Sequence, residues 1–325
     1  TQVGRWQEGY TITSAPLYYD GMVITGTAGG DRGVRGHVSA YDAGTGQQLW
    51  RFYTIPGPGE WGHDSWPADS DAWKHGGATV WHTPAVDPEL GLIYFSTSNP
   101  GPDFNGAVRA GDNLFSAAIV ALEAKTGKRR WHFQQVHHDI WDYDAPNPVV
   151  LFDLELEGTS RKALAQAGKT GWVYILDRTN GEPLLGIEEK EVPQESRQNT
   201  AATQPYPKGD AFVPQMIAET IEGVTLINEG RIFTPFWKEG VMVRPATFGG
   251  ANWPPSSYDP STHRLHICAN DRIALFRGGD EVVFPPTQGV GFTGGPFGTA
   301  EFQPRLRGIF AVMDLKTNRL IWQQQ

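Results

Sequence analysis

The sequence holds a single cysteine, Cys268, in 325 residues. This excludes an internal disulfide and any CxxCH haem attachment, so the chain brings no haem of its own. No uninterrupted apolar stretch approaches the roughly 18 residues of a membrane helix, and the first residues carry no charged-then-apolar signal segment. The residues given therefore read as a soluble chain. Basic residues are outnumbered 27 to 36 by acids, for a net charge of −9, and no basic run is present. A nucleic-acid partner is thereby disfavoured, because phosphate binding needs clustered Lys and Arg.

Glycine, proline and tryptophan are abundant instead. The 39 Gly and 24 Pro far exceed the roughly 12% of average usage and argue against long helices. Aromatics at 12%, including 12 Trp, point to an all-β architecture whose many turns are made by Gly, Pro, Asn and Asp.

A repeat runs along the chain. SAYDAGTGQQLW (39–50), VALEAKTGKRRW (120–131), YILDRTNGEPLL (174–185) and AVMDLKTNRLIW (311–322) share one frame. It is an apolar segment, an acid, two residues, Thr or Asn, usually Gly, and a large apolar residue at the end. The frame predicts a strand, a tight turn whose acid bonds turn amides, and a second strand whose terminal Trp packs on a neighbouring unit. The acids fall at 42, 123, 177 and 314, and the long last interval suggests a degenerate copy between Leu185 and Ala311. A second echo links GGATVWHTPAVDPELGLIYFSTSN (76–99) with GGANWPPSSYDPSTHRLHICAN (249–270). The expectation is one partial β-propeller domain over 1–325 with about five four-stranded blades, the polar stretch 189–214 forming an insertion loop. A β-sandwich with coincidental turns is the plainer alternative.

The repeat frame resembles the tryptophan-docking motif of the pyrroloquinoline-quinone (PQQ) dependent alcohol and glucose dehydrogenases, eight-bladed propellers, and the resemblance covers essentially the whole chain. It implies that a quinone lies over a tryptophan, and that a calcium or lanthanide ion bridges quinone and protein oxygens. In TAGGDRGVRG (27–36), Gly29 and Gly30 match the turn that lets backbone amides approach a quinone carboxylate. Asp31 falls at a metal-ligand position where better-known relatives have Glu. Trp81, in GGATVW, matches the stacking tryptophan, and Asn99, in STSNPGP, the amide ligand of a hard cation. Thr13, in TITSAP, matches a hydroxyl that bonds the quinone. Asn252 and Trp253 match a pair bordering it. Lys169, in AGKTGWVYILDRTNG, matches the cation at the quinone carbonyls, where it would stabilise charge gained on reduction.

The sharpest match is HHDIWDYD (137–144). It implies Asp142 as the general base, also touching the metal, and Asp144 as a further metal ligand of the kind lanthanide-using relatives have. Arg35 is expected to hold its loop, and His63, His75, His137 and His138, lacking zinc-like spacing, to serve packing.

The resemblance further implies an alcohol or sugar substrate and a separate electron acceptor, a c-type cytochrome or a membrane quinone. It implies a periplasmic or secreted location, and remaining blades supplied by the same or another chain. The start at Thr1 rather than Met implies processing, excision or incomplete coverage upstream, and with about five blades of an expected eight the sequence reads as an internal portion of such a protein. Quinone-type repeats also build non-catalytic scaffolds, but a scaffold has no reason to keep Asp142, Lys169, Trp81 and Asn99 in register. The Gly-rich turn at 27–36 opens no helical pattern, which makes a dinucleotide enzyme a poorer rival.

Overall fold

The computed structural model describes residues 1–287, 290–296 and 307–325. Among these the only helices are 3₁₀ turns of three or four residues, as the Gly and Pro content demands. No helix of the described residues is long and apolar enough to cross a membrane.

The first blade is the antiparallel meander β1 (Leu17–Tyr19), β2 (Met22–Gly26), β3 (His37–Asp42) and β4 (Gln48–Tyr53). The second is β5 (Ala85–Asp87), β6 (Leu92–Ser96), β7 (Ala118–Glu123) and β8 (Arg129–Gln134). The third has three strands, β9 (Val150–Leu156), β10 (Thr159–Ala167) and β11 (Val173–Asp177). Its outer edge is continued by Leu184, whose amide donates to the Ile175 carbonyl at 3.0 Å.

The next residues form β12 (Ile187–Glu191), β13 (Thr203–Pro207) and β14 (Val241–Val243), followed by β15 (Ser257–Asp259), β16 (Arg264–Asp271) and β17 (Ala274–Phe276). They end in β18 (Arg307–Asp314) and β19 (Arg319–Gln324). Strands β15, β16, β18 and β19 make another four-stranded blade, while β12 pairs with β13 and β14 with β17. The second sequence echo thus marks β5–β6 and β15–β16, the opening strands of two blades. The interval between the acids at 177 and 314 departs from expectation. Its described residues add no four-stranded sheet beyond that last blade: the interval is lengthened by the β12–β13 hairpin, which starts at Ile187 and overlaps the expected 189–214 insertion, and by the β14–β17 pair.

The blades pack face to face through three apolar layers. Ile24, Val38 and Ala40 of the first blade meet Ile93, Phe95 and Val120 of the second. Leu92, Tyr94 and Ile119 on the other face of the second meet Leu164, Tyr174 and Leu176 of the third. Ala163, Val173 and Ile175 then meet Leu265, Ile267 and Ala311. Alternate residues serve opposite faces, so β6 and β7 are apolar on both sides, as strands covered on both faces are.

The docking frame has a direct structural basis. The Trp50 indole donates to the Ala124 carbonyl at 3.0 Å, and Trp131 donates to the Arg178 carbonyl at 3.1 Å. Each acceptor is the residue after the acid of the next repeat. Gly127 and Gly181 lie flat against these rings, and a Cβ there would come within 2.6 and 2.7 Å of them. Both glycines also have positive φ, 68° and 84°. Trp322 ends the last repeat and lies 44% exposed.

Candidate active site

One cavity of about 390 Å³ opens where strand ends and connecting loops of successive blades converge. All eleven residues singled out from the sequence line it: Thr13, Gly29, Gly30, Asp31, Trp81, Asn99, Asp142, Asp144, Lys169, Asn252 and Trp253. Ala28, Thr79, Ser98, Thr247 and Phe248 complete the wall. Thr79 was legible in principle, since it stands two residues before Trp81 in an extended segment and so shares its side.

The β2–β3 connection brings Gly29, Gly30 and Asp31. Gly29 has φ 108°, and a Cβ there would stand 2.2 Å from the Gly9 carbonyl oxygen, so only glycine fits. Gly30 is less constrained, meeting the Ser98 and Thr79 hydroxyls at ordinary contact distances. The segment between β4 and β5 brings Trp81. Thr13 donates to the Trp81 carbonyl at 2.8 Å, and the Trp81 indole donates to Asp144 Oδ2 at 3.1 Å. Trp253, half exposed, stands with its ring centroid 6.3 Å from that of Trp81. Asn99 follows β6. Asn252 is buried, its side-chain amide donating to the Phe248 carbonyl at 2.9 Å.

The β10–β11 turn supplies Lys169, against which Gly249 packs so closely that a Cβ would meet the lysine Cβ at 2.4 Å. The ammonium donates to the Asp142 carbonyl at 2.8 Å and to Asp142 Oδ1 at 3.2 Å, and it forms an ion pair with Asp144 Oδ1. Burial alone would lower the Lys169 pKa, but Asp142 and Asp144 outweigh it and hold the group above its ordinary value. The lysine therefore stays charged.

The β8–β9 loop carrying Asp142 is tightly organised. Asp142 has φ 61°, a left-handed conformation that costs on the order of 1–3 kcal/mol for a residue with a side chain and recurs at functional sites. Asp139, to which the sequence reading gave no role, holds the loop. Its two carboxylate oxygens accept from the amides of Trp141 at 2.8 Å and Tyr143 at 2.7 Å. Beneath, Trp141 packs on Tyr143 and Phe233 with centroid distances of 6.0 and 5.4 Å. Burial pushes the Asp139 carboxyl up to about 6, with the Trp141 amide opposing. Burial also drives Asp142 well above the usual carboxylate range, against the pull of Lys169. Asp31 is exposed at the rim, yet the surrounding walls and then Asp144 raise its pKa.

Arg35 stays outside the cavity. It donates to the Ile55 carbonyl at 2.9 and 2.6 Å and lies 4.0 Å over the Tyr53 ring, which fits the expected loop-holding role.

A model for the glucose/ethanol/alcohol dehydrogenase β-propeller domain, of the PQQ class, matches residues 2–281. The chain belongs to that family. It is 37% identical over 284 residues to the quinohemoprotein alcohol dehydrogenase ADH-IIG of Pseudomonas putida, covering 82% of this chain and 36% of the relative. It is 31% identical to the quinoprotein alcohol dehydrogenase PedH of the same species, over all of this chain and 53% of PedH. Among solved structures, the quinohemoprotein alcohol dehydrogenase of Comamonas testosteroni superposes with a TM-score of 0.75 at 28% identity, over 97% of this chain and 46% of the other. A europium-containing methanol dehydrogenase gives 0.73 at 28% identity, over 99% and 55%. The chain thus spans about a third to a half of the length of these relatives.

The family implies a quinone and a cation, and the residues fit both. Every prospective ligand is a hard oxygen, from Asp31, Asp142, Asp144 or the Asn99 amide, which suits Ca²⁺ or a lanthanide rather than zinc. Among the described residues no three His, Cys, Asp or Glu side chains converge as a ready cage, and Lys169 sits between two of the acids. The cavity is nonetheless rich in carboxylate and poor in cations. A quinone bearing carboxylates would be repelled there unless a metal ion offset the charge.

Proposed function

We propose that this chain forms the cofactor-holding part of a quinoprotein dehydrogenase that oxidises an alcohol or sugar hydroxyl with PQQ and a calcium or lanthanide ion. The carrying observation is the linked set Thr13, Trp81, Asp144, Lys169 and Asp142 around one cavity.

When bound, the quinone supplies the hydride acceptor and the cation a Lewis acid. The chain's own groups do the rest. Trp81 offers a flat, half-buried face for a planar ring, and Gly29 and Gly30 admit a close approach of backbone. Asp31, Asn99, Asp142 and Asp144 would supply oxygens to the cation. Asp142 accepts the substrate hydroxyl proton on its carboxylate, a step its buried setting favours. Lys169 holds both the Asp142 main chain and its carboxylate in place and keeps a fixed positive charge beside them.

The remaining blades come from the same or another chain. Electrons pass to a separate acceptor, a c-type cytochrome or a membrane quinone, in the periplasm or outside the cell.

The test uses the full-length protein with PQQ and either Ca²⁺ or La³⁺, following tryptophan quenching and dye-linked turnover of alcohols and sugars. Micromolar quinone binding and metal-dependent turnover are expected. Absence of quinone binding at that concentration with metal present would remove the proposal.

A further inference from the structure

Asn147 lies on the β8–β9 loop beyond Asp144, between Pro146 and Pro148. Its side chain is buried behind the cavity wall and does not line it. Every polar atom of that side chain is spent on one stretch of distant chain. The amide nitrogen donates to the carbonyls of Asn252 at 2.9 Å and Pro254 at 2.7 Å, and the amide oxygen accepts from the Ser256 hydroxyl at 3.0 Å. A buried amide satisfied in this way is a clamp on that stretch.

The clamped residues belong to the β14–β15 connection, which brings Phe248, Asn252 and Trp253 to the cavity. Residues 253–255 are exposed. Among the described residues, no other side chain from outside the connection hydrogen-bonds residues 253–256; from within it, Asn252 Oδ1 accepts from the Trp253 amide at 2.9 Å. Pro254 and Pro255 have a fixed φ, so bonds on either side of Trp253 set the direction in which its indole leaves the backbone.

That direction matters at the cavity. The Trp253 ring stands 6.3 Å from Trp81 and 5.4 Å from Phe248, between centroids. The Trp81 indole is itself held by Asp144 at 3.1 Å. Both indoles are therefore tied to one loop, Trp81 through Asp144 and Trp253 through Asn147. The loop is anchored from behind, where the Ala145 amide donates to the Thr97 carbonyl at 3.1 Å. The Gln166 side chain also donates to the Asn147 carbonyl at 3.0 Å and accepts from Gln135 at 2.7 Å. An exposed wall thus takes its position from a buried one.

We propose that Asn147 is a positioning residue: it fixes Trp253 at the mouth of the cavity and thereby slows the escape of a bound quinone. The inference rests on the quinone-holding reading of the site, in which Trp81 carries the ring and Trp253 borders it. Without Asn147 the exposed stretch meets its hydrogen-bonding needs with water, and the indole has no fixed place. A wall residue ordered in advance holds its ligand longer than one that must be ordered on binding.

The experiment uses full-length protein labelled with fluorotryptophan, first without quinone. In the fluorine NMR spectrum the Trp253 and Trp131 resonances are those lost in Trp253→Phe and Trp131→Phe. Asn147→Ala should move and broaden the Trp253 resonance and leave that of Trp131, at a blade contact, in place. The protein is then loaded with PQQ and Ca²⁺, and release is followed by recovery of tryptophan fluorescence after dilution. Release should be about 10-fold faster in Asn147→Ala and in Trp253→Ala, with no further gain in the double variant, because Asn147 acts only through Trp253. Ser256→Ala removes one bond of the clamp from its outer end and should shift both readouts the same way by less; it replaces Asn147→Ala if that variant does not fold. An unmoved Trp253 resonance, or release rates that multiply in the double variant, overturns the inference. If wild type holds quinone and Asn147→Ala releases it at the same rate, the inference fails and the reading of the site stands. If wild type binds no quinone, that reading fails and the retention role with it, whatever the Trp253 resonance does.

Discussion

The acids of the docking turns and the acids of the cavity are the same side chains in opposite circumstances. In the turns, Asp42 Oδ1 accepts from the amides of Gly44 and Thr45 at 3.1 and 2.7 Å, and Thr hydroxyl and amide bonds lower its pKa. Asp177 and Asp314 accept in the same way from the amides of Thr179 and Lys316, at 2.9 and 2.7 Å. In the cavity, Asp31 and Asp142 are held above the ordinary carboxylate range, desolvation by the surrounding walls being the first cause in each. The turn acids stabilise the fold. The cavity acids oppose it, and such strain persists where the surroundings enforce it and a function uses it. Hydrogen-bond satisfaction, rather than residue type, separates the two sets.

The sharpest way to break this comparison is to remove a cavity acid. Asp142→Ala should lower turnover by about 10²- to 10⁴-fold, the usual loss for a general base and equivalent to about 3–5 kcal/mol in the barrier, while quinone binding survives. Steady-state kinetics beside a quinone-quenching titration separate the two effects, and wild-type turnover would discard Asp142 as the base. Asp144→Ala in the same assays should weaken lanthanide activation more than calcium activation. Equal loss with both ions would make Asp144 structural.

A second test uses a buried titratable group that is neither satisfied like a turn acid nor placed in the cavity. His82 is buried, its Nε2 meets the Ser96 hydroxyl at 2.9 Å and accepts from the Ser96 amide at 3.3 Å, and its pKa is lowered by burial to about 4. Above the ordinary value near 6.5 both folded and unfolded rings are neutral, and no penalty exists. As pH falls below about 6.5 the unfolded chain takes up the proton first, so stability declines and the loss levels off below about 4. The span corresponds to roughly 2–4 kcal/mol. Denaturant melts of wild type and His82→Gln across this range should show wild type losing its advantage by that amount. Parallel curves would mean that the ring is not buried as a neutral group.

The legible features of the sequence were those whose contacts repeat. Trp50 and Trp131 each meet the same place in the next repeat, so the docking frame announces itself at fixed spacing. The cavity residues were legible only through family resemblance, because Asp31, Asn99, Asp142 and Lys169 come from separate blades and share no local pattern. Asp139 carries no local signature of its role, since its two amide partners, Trp141 and Tyr143, meet it only in the folded loop. The interval from 177 to 314 misled because excursions such as β12–β13 lengthen a chain without adding the repeat frame.

The smallest expected effect tests the other side of the comparison. Asp177 ends β11, and its Oδ1 accepts from the Thr179 amide at 2.9 Å and the Thr179 hydroxyl at 2.6 Å. The turn it closes presents Gly181 to the Trp131 ring and the Arg178 carbonyl to its indole. Asp177→Ala removes the acceptor and leaves the turn amide to water, a loss of about 1–2 kcal/mol. Because the turn belongs to the blade-to-blade contact and not to the cavity, quinone and metal affinity should be unchanged while thermal stability falls. The cavity acids predict the reverse, with Asp142→Ala lowering turnover while the blade packing is kept. A turn variant that lost cation affinity in step with stability would show that blade packing and cavity are coupled, and the division between the two sets of acids would no longer hold.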